Sequence, residues 1–183
     1  MRIIFQGTMK MVGHGLFTLI ILFVSANDTL CQTDMPCSGG TYEVVKPFIG
    51  IWEEYTVTDN GEELLGTLQS TMDLNGCVLT QRFTSSDESF SYVTFGYILP
   101  DQRIWEESYV FSNGSSAKYH WIVEGDDVLQ RRVGGTRKID YMHQLRLTVI
   151  NKDLYEAMEE HSVDKGITWQ KKELTRIRRK KID

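Results

Sequence analysis

The sequence predicts an all-β domain, an antiparallel meander of roughly ten strands that closes into a barrel. From Ile51 onward, short segments rich in Thr, Val, Tyr, Phe and Trp alternate with turn signals at intervals of roughly eight to twelve residues. No segment in this stretch has a helical pattern, so no helix is expected to cover the apolar face of the sheet. Because every connection is short, consecutive strands can form hairpins, and closure removes the exposed edges of so long a meander.

The turn residues set the limits of the predicted strands. Asp59-Asn-Gly61 and Asn75-Gly76 suit tight hairpins, because Asn and Gly adopt positive φ angles at low cost. Pro100 pre-sets φ for a turn, and Gly134-Gly135 begins the longest break. The predicted strands are 51–57, 63–74, 77–84, 89–99, 103–112, 115–124, 127–133, 141–151, 153–161 and 164–176.

Alternation along these strands predicts which side chains face the interior. The opposite faces of the same strands are polar, with Glu106, Lys118 and His120 among them, as expected for a sheet with one solvated side. The side chains predicted to share the inner faces of three strands are Trp105, Glu107, Tyr109 and Phe111, then Tyr119, Trp121 and Val123, then Tyr141, His143, Leu145, Leu147 and Val149.

The N-terminus has the outline of a secretory signal peptide. Arg2 and Lys10 supply positive charge, residues 16–26 form an apolar core, and small residues precede a cleavage point after Ala26. An uncleaved anchor is disfavoured, because this core is shorter than the roughly 20 residues that span a bilayer. We therefore predict secretion, extracellular or periplasmic, and no membrane span. The predicted organisation is a signal peptide at 1–26, an N-terminal segment at 27–46, a barrel domain at 47–176 and a basic tail at 177–183.

Charge and cysteine content bound the classes of partner. Residues 27–170 carry 23 Asp and Glu against 11 Lys and Arg, which argues against nucleic acid because phosphate recognition needs cations. The basic end of the chain is more often a solvated terminus than a binding element. Three cysteines follow Ala26, and an odd number leaves the pairing open. If a later cleavage also removed Cys31, then Cys37 and Cys77 would be the one possible pair.

The start of the first strand resembles a known signature. Pro47-Phe-Ile-Gly-Ile-Trp52 is similar to the opening of the calycins, the group of lipocalins and fatty-acid-binding proteins. The resemblance implies a calycin-like barrel in which Trp52 closes one end near a basic residue of a late strand. Arg176 is the candidate for that basic residue.

A longer match covers about 130 residues. The order of Gly50-Ile-Trp52, Asn75-Gly-Cys-Val-Leu79, Tyr97, Trp105 and the turn between Ser162 and Trp169 is similar to a lipocalin-like β-barrel family of uncharacterised function. That family usually has a second Gly in the last turn, where this chain has Lys165 beside Gly166. The resemblance implies the fold and very little chemistry, because one barrel hosts many functions.

Two functions are consistent with these patterns. The first is a binding protein that holds a small, largely apolar ligand, and its predicted contacts are Trp105, Glu107, Tyr109, Tyr119, Trp121, Arg131 and His143. Glu107 and Arg131 would orient its polar end. The second is an isomerase or cyclase in which an enclosed carboxylate, Glu107, acts as general acid or base. Buried charges also arise as structural ion pairs, and a register error of one residue would place Arg131 or Glu156 in water. A packed barrel without any ligand is the third alternative.

No metal site or cofactor is predicted. The chain has no His-x-His, Cys-x-x-Cys or His-Glu-x-x-His spacing, no Gly-x-Ser-x-Gly element and no Gly-rich phosphate loop. Haem-binding barrels ligate iron through a late-strand His, which raises His143 and His161 as candidates. A single His on an apolar face is more often a hydrogen-bonded core residue, so we predict no haem.

Overall fold

The computed structural model describes residues 37, 40–99, 104–134 and 140–181. In these residues a 3₁₀ helix precedes ten strands, which confirms the predicted all-β class. The predicted signal peptide lies outside the described residues. The 3₁₀ helix spans Gly40–Phe48, and the strands are β1 (Gly50–Thr58), β2 (Gly61–Asp73), β3 (Val78–Ser85), β4 (Ser91–Leu99), β5 (Ile104–Phe111), β6 (Ser116–Glu124), β7 (Asp127–Arg132), β8 (Met142–Asn151), β9 (Leu154–Ser162) and β10 (Gln170–Arg179).

The strands form one closed antiparallel meander. Each strand pairs with its neighbour in sequence, and β1 pairs with β10 from Trp52 opposite Arg179 to Thr56 opposite Thr175. Closure leaves no strand edge in water, which is why a meander of this length is stable without covering helices. The architecture confirms the predicted barrel and is compatible with a calycin-like fold.

Nine strands agree with their predicted limits to within two residues, and the last does not. The segment predicted to start β10 at 164 is a loop held by its own side chains. Ser162 Oγ accepts a hydrogen bond from the Gly166 N–H at 2.8 Å, and Asp164 accepts two from the backbone and hydroxyl of Thr168. Strand β10 therefore begins at Gln170, and it continues to Arg179 through residues predicted to belong to the basic tail.

The 3₁₀ helix closes one end of the barrel, which we call the floor. Val45 and Phe48 are almost fully buried, and the Phe48 ring meets the rings of Trp121 and Tyr155 edge-on at 5.5 and 5.0 Å. The indole N–H of Trp52 donates to the carbonyl of Phe48 at 2.9 Å. The floor is thus a layer of aromatic rings in which the Trp52 side chain of β1 is bonded to the backbone of the 3₁₀ helix.

Trp52 has its cationic partner on the last strand, and that partner is Arg179. The Arg179 guanidinium lies 4.1 Å from the centroid of the Trp52 ring. Arg176, which we predicted for this role, instead pairs with Glu62 and Glu156. Arg179 can approach because Gly50 has no side chain: a Cβ there would lie 2.3 Å from the Arg179 Nη1.

A disulfide joins the segment before the 3₁₀ helix to the barrel. Cys37 and Cys77 are bonded, with their Cα atoms 4.9 Å apart. The bond settles the pairing of two of the three cysteines. The 3₁₀ helix is the one helix in the described residues, and it is too short to span a bilayer.

Candidate functional site

A cavity of about 110 Å³ lies inside the barrel, between the floor and the opposite end, which we call the mouth. Most of its wall is apolar or aromatic. Among the described residues, no Lys, Arg or His lines it. The lining residues are Phe48, Glu54, Leu68, Gln81, Tyr92, Tyr109, Trp121, Gln130, Leu145, Leu147, Tyr155, Ala157, Thr175 and Ile177.

Glu54 on β1 is the charged residue of the cavity wall. No described side chain forms a hydrogen bond or an ion pair with its carboxylate, and burial alone raises its pKa to about 7. Glu54 is half-buried, and it lies among the residues that line the cavity. A buried carboxyl group without a partner is costly, and a hydrogen-bond donor in the cavity would reduce that cost.

Glu107 on β5 is on the inner face of the barrel and is fully buried, but it does not line the cavity. Burial raises its pKa to about 7, although hydrogen bonds to the carboxylate act in the opposite direction. Its donors are the hydroxyl of Thr94, Trp121 Nε1 at 2.8 Å, Gln130 Nε2 at 3.1 Å and the hydroxyl of Tyr109 at 3.4 Å. With four donors from the wall, this carboxylate is satisfied by the protein itself.

Aromatic rings continue from the cavity to the mouth. The Tyr109 ring contacts Tyr119 at 5.0 Å between centroids, and Tyr119 contacts His143 at 5.9 Å. His143 in turn lies 5.1 Å from the ring of His161 on β9. Burial lowers the pKa of His143, while the nearby carboxylate of Glu159 acts in the opposite direction.

A second cluster of polar groups lies at the mouth. His143 is directly opposite His161 in the β8–β9 ladder, and Glu159 is two residues before His161 on the same face. One carboxylate oxygen of Glu159 lies 3.1 Å from His143 Nε2 and 2.7 Å from His161 Nε2. The other ring nitrogens contact tyrosine hydroxyls, with Tyr119 at 3.5 Å from His143 Nδ1 and Tyr141 at 3.0 Å from His161 Nδ1.

Arg131 lies on the outer face of the barrel, so the predicted face of β7 is wrong by one residue. Its guanidinium donates twice to the side chain of Gln144, at 2.9 and 3.0 Å, and stacks on the ring of Trp169. Gln130, its neighbour, faces the cavity instead. Glu156, which we also considered as an interior charge, pairs with Arg176 on the outside.

The predicted ligand-binding residues therefore separate into five places. Tyr109 and Trp121 line the cavity, and Glu107 supports both of them from within the wall. Trp105 is buried near the floor against Tyr42. Tyr119 and His143 lie at the mouth, and Arg131 lies outside.

Sequence reasoning missed Glu54, and a usable signal was present. Glu54 follows Trp52 by two residues on the same strand, so simple alternation places both on one face. Trp52 was assigned to the end of the barrel, and its face implies an inward Glu54. Glu159 and His161 were missed as partners of His143 because they lie on a different strand, where no sequence spacing relates them.

Comparison with known proteins does not identify a family for this chain. No protein-family model and no curated protein matches this sequence. The closed ten-stranded antiparallel barrel is compatible with a calycin-like fold.

Proposed function

We propose that this protein binds a compact, largely apolar small molecule that carries a hydrogen-bond donor, inside the barrel cavity. The observation that carries the proposal is Glu54, a carboxyl group without a partner in the described part of the chain, which lines a cavity otherwise formed mainly by apolar and aromatic side chains. Apolar walls with a few convergent polar groups are typical of small-molecule sites.

The volume of the cavity limits the size of the ligand. At about 110 Å³ it is smaller than the roughly 300–1,000 Å³ of sites for drug-sized molecules. An engineered apolar cavity of about 150 Å³ in another protein binds benzene. The proposed ligand is therefore at most about the size of a single ring, rather than a fatty acid or a retinoid.

Glu54 determines which kind of polar group the ligand is expected to carry. The carboxylate accepts hydrogen bonds, and no cationic side chain among the described residues lines the cavity to compete for it. Gln81, which also lines the cavity, already donates to the Ser70 hydroxyl at 2.8 Å. An N–H or O–H group on the ligand would supply Glu54 with the hydrogen-bond partner that none of the described side chains provides.

Aniline and toluene test the proposal, because they have nearly the same size and differ in an N–H donor. Isothermal titration at pH 8 is expected to detect tighter binding of aniline than of toluene by the wild-type protein. The variant Glu54→Leu is expected to reverse or abolish that preference. Glu53→Gln is the matched control, because Glu53 lies partly exposed on the outer face beside Tyr55.

A second variant tests the location of binding. Ala157 lines the cavity, and Ala157→Leu fills much of its volume with the added methyl groups. Loss of binding in a variant that still unfolds cooperatively supports the cavity as the site. Equal binding of aniline and toluene by the wild type, or unchanged binding by Ala157→Leu, would contradict the proposal.

A barrel enzyme that acts on an apolar substrate is the second candidate function. It is favoured by two enclosed carboxyl groups, Glu54 and Glu107, each with a pKa of about 7, the range that suits general acid–base catalysis. Of the two, Glu54 faces the cavity and is the one able to reach a substrate. In an enzyme, Glu54→Gln would abolish turnover and leave affinity within a few fold, whereas in a binding protein only affinity would change.

We also propose that the protein is secreted. The apolar segment that ends at Ala26 and the disulfide between Cys37 and Cys77 support this, because stable disulfides form in oxidising compartments. Mass spectrometry of protein from the culture medium is expected to give a mature N-terminus after Ala26 or beyond Cys31, and retention of the intact chain in the cell would contradict secretion.

A further inference from the structure

We propose that His143, Glu159 and His161 bind a divalent transition-metal ion at the mouth of the barrel. The proposal is independent of any ligand in the cavity, and it departs from our sequence-based expectation of no metal site. Two imidazoles and one carboxylate are the donor set of several three-ligand zinc sites. All three residues project from the inner faces of two adjacent strands.

The distances within the cluster suit a common ion. The ligating atoms of the three residues all lie within 4.8 Å of one another. Bonds of about 2.0–2.1 Å in a tetrahedral site separate ligand atoms by about 3.3 Å. In the structure, Glu159 Oε1 lies 3.1 Å from His143 Nε2 and 2.7 Å from His161 Nε2. Side-chain rotations that shift these atoms by less than about an ångström would admit the ion without moving a strand.

A tyrosine hydroxyl contacts the Nδ1 atom of each imidazole, on the side away from Glu159. Tyr119 contacts His143 Nδ1 at 3.5 Å, and Tyr141 contacts His161 Nδ1 at 3.0 Å. A hydroxyl group both donates and accepts, so it can accept the Nδ1–H when Nε2 binds a metal. Metal-ligating histidines almost always have such a partner on the second nitrogen, because it sets the tautomer and the orientation of the ring.

The donor set selects the class of ion, and the position provides access. Imidazole ligands favour zinc and similar first-row ions over magnesium and calcium, which prefer oxygen donors. The side chains of His143, Glu159 and His161 are 14%, 32% and 24% exposed, so an ion can reach them from solvent. Three protein ligands leave at least one coordination position for water.

Zinc and cobalt titrations of the full chain, after treatment with a chelator, test the proposal. Isothermal titration with Zn²⁺ is expected to give one ion per chain in the cluster, and Co²⁺ is expected to give visible absorption bands of low-symmetry coordination. His143→Ala and His161→Ala are each expected to weaken Zn²⁺ binding at least tenfold and to remove those bands. Tyr141→Phe is expected to weaken binding by about 10–100-fold and to retain the bands.

His120 provides the matched control. It is also a histidine beside a carboxylate, 3.3 Å from Glu106, but it lies on the outer face and outside the cluster. His120→Ala is expected to bind Zn²⁺ as the wild type does, and circular dichroism checks that every variant is folded. Absence of binding at micromolar Zn²⁺, or binding that persists in the His143→Ala, His161→Ala double variant, would overturn the proposal. Binding of aniline should not change with any of these variants, so this result and the cavity result can fail separately.

Discussion

Replacement of Glu54 by Gln is expected to stabilise the barrel at neutral and alkaline pH and to have little effect at acidic pH. The amide has nearly the same shape as the carboxyl group and carries no charge at any pH. In the wild-type protein without ligand, the ionised carboxylate of Glu54 is enclosed and has no partner within the described residues. The variant removes the cost of placing that charge inside the barrel.

The magnitude follows from the pKa of Glu54, which burial raises from 4.5 to about 7. One pKa unit corresponds to 1.36 kcal/mol, so the rise amounts to about 3 kcal/mol. Between these two pH values the folded protein retains a proton that the unfolded chain has released, so the free energy of unfolding falls as pH rises. This decrease in the free energy of unfolding is absent below about pH 4.5 and complete above about pH 8.

Urea unfolding of the wild type and of Glu54→Gln at several pH values measures this difference. The two proteins should have similar free energies of unfolding near pH 4.5, and the variant should be more stable by about 3 kcal/mol near pH 8. Glu107 also has a raised pKa, but it is present in both proteins and cancels in the comparison. A stability difference that does not change with pH, or an equal effect of Glu53→Gln, would refute the reasoning.

Three further substitutions, each followed by urea unfolding, test the closure of the barrel. Cys37→Ser opens the bond to Cys77 across a separation of 40 residues and should cost about 4 kcal/mol by the chain-entropy estimate; no change would contradict a formed disulfide. Gly50→Ala should cost about 1–3 kcal/mol, because a Cβ displaces the Arg179 guanidinium and φ is +141°; a neutral effect would contradict this packing. Phe48→Ala should cost about 3–5 kcal/mol by opening the floor, and a loss below 1 kcal/mol would show that the ring is not buried.

The fold could be predicted from the sequence because its signals are local. The hairpin at Asn75-Gly76 has the positive φ angles, 56° and 87°, that these residue types allow. The start of the last strand could not be predicted in the same way. Thr168 and Trp169 favour a strand by residue type, but the side chains of Ser162 and Asp164 hold the loop that contains them. Side-chain hydrogen bonds across four residues override β propensity there.

The interior face of a strand was predictable only where its two faces differ. Along the second half of β5, the buried Tyr109 lies between the less buried Ser108 and Val110, and the predicted inner face is correct. Strand β7 is short, and Leu129 and Gln130 are both buried although they point to opposite faces. Burial then does not distinguish the inner face of β7 from its outer face. The predicted face was therefore shifted by one residue, which placed Arg131 inside instead of Gln130.

The chemistry of the interior depends on barrel closure more than on residue type. Glu53 and Glu54 are adjacent and identical, yet Glu53 accepts a hydrogen bond from Tyr55 on the outer face, while Glu54 lines the cavity and has no partner among the residues that the structure describes. The surfaces that desolvate Glu54 come from strands far apart in sequence, among them those that carry Gln130 and Ala157. No window of sequence contains these neighbours together. Because desolvation requires all of them at once, the raised pKa of Glu54 is a property of the closed barrel, and it would be lost in any state in which β1 separates from β10.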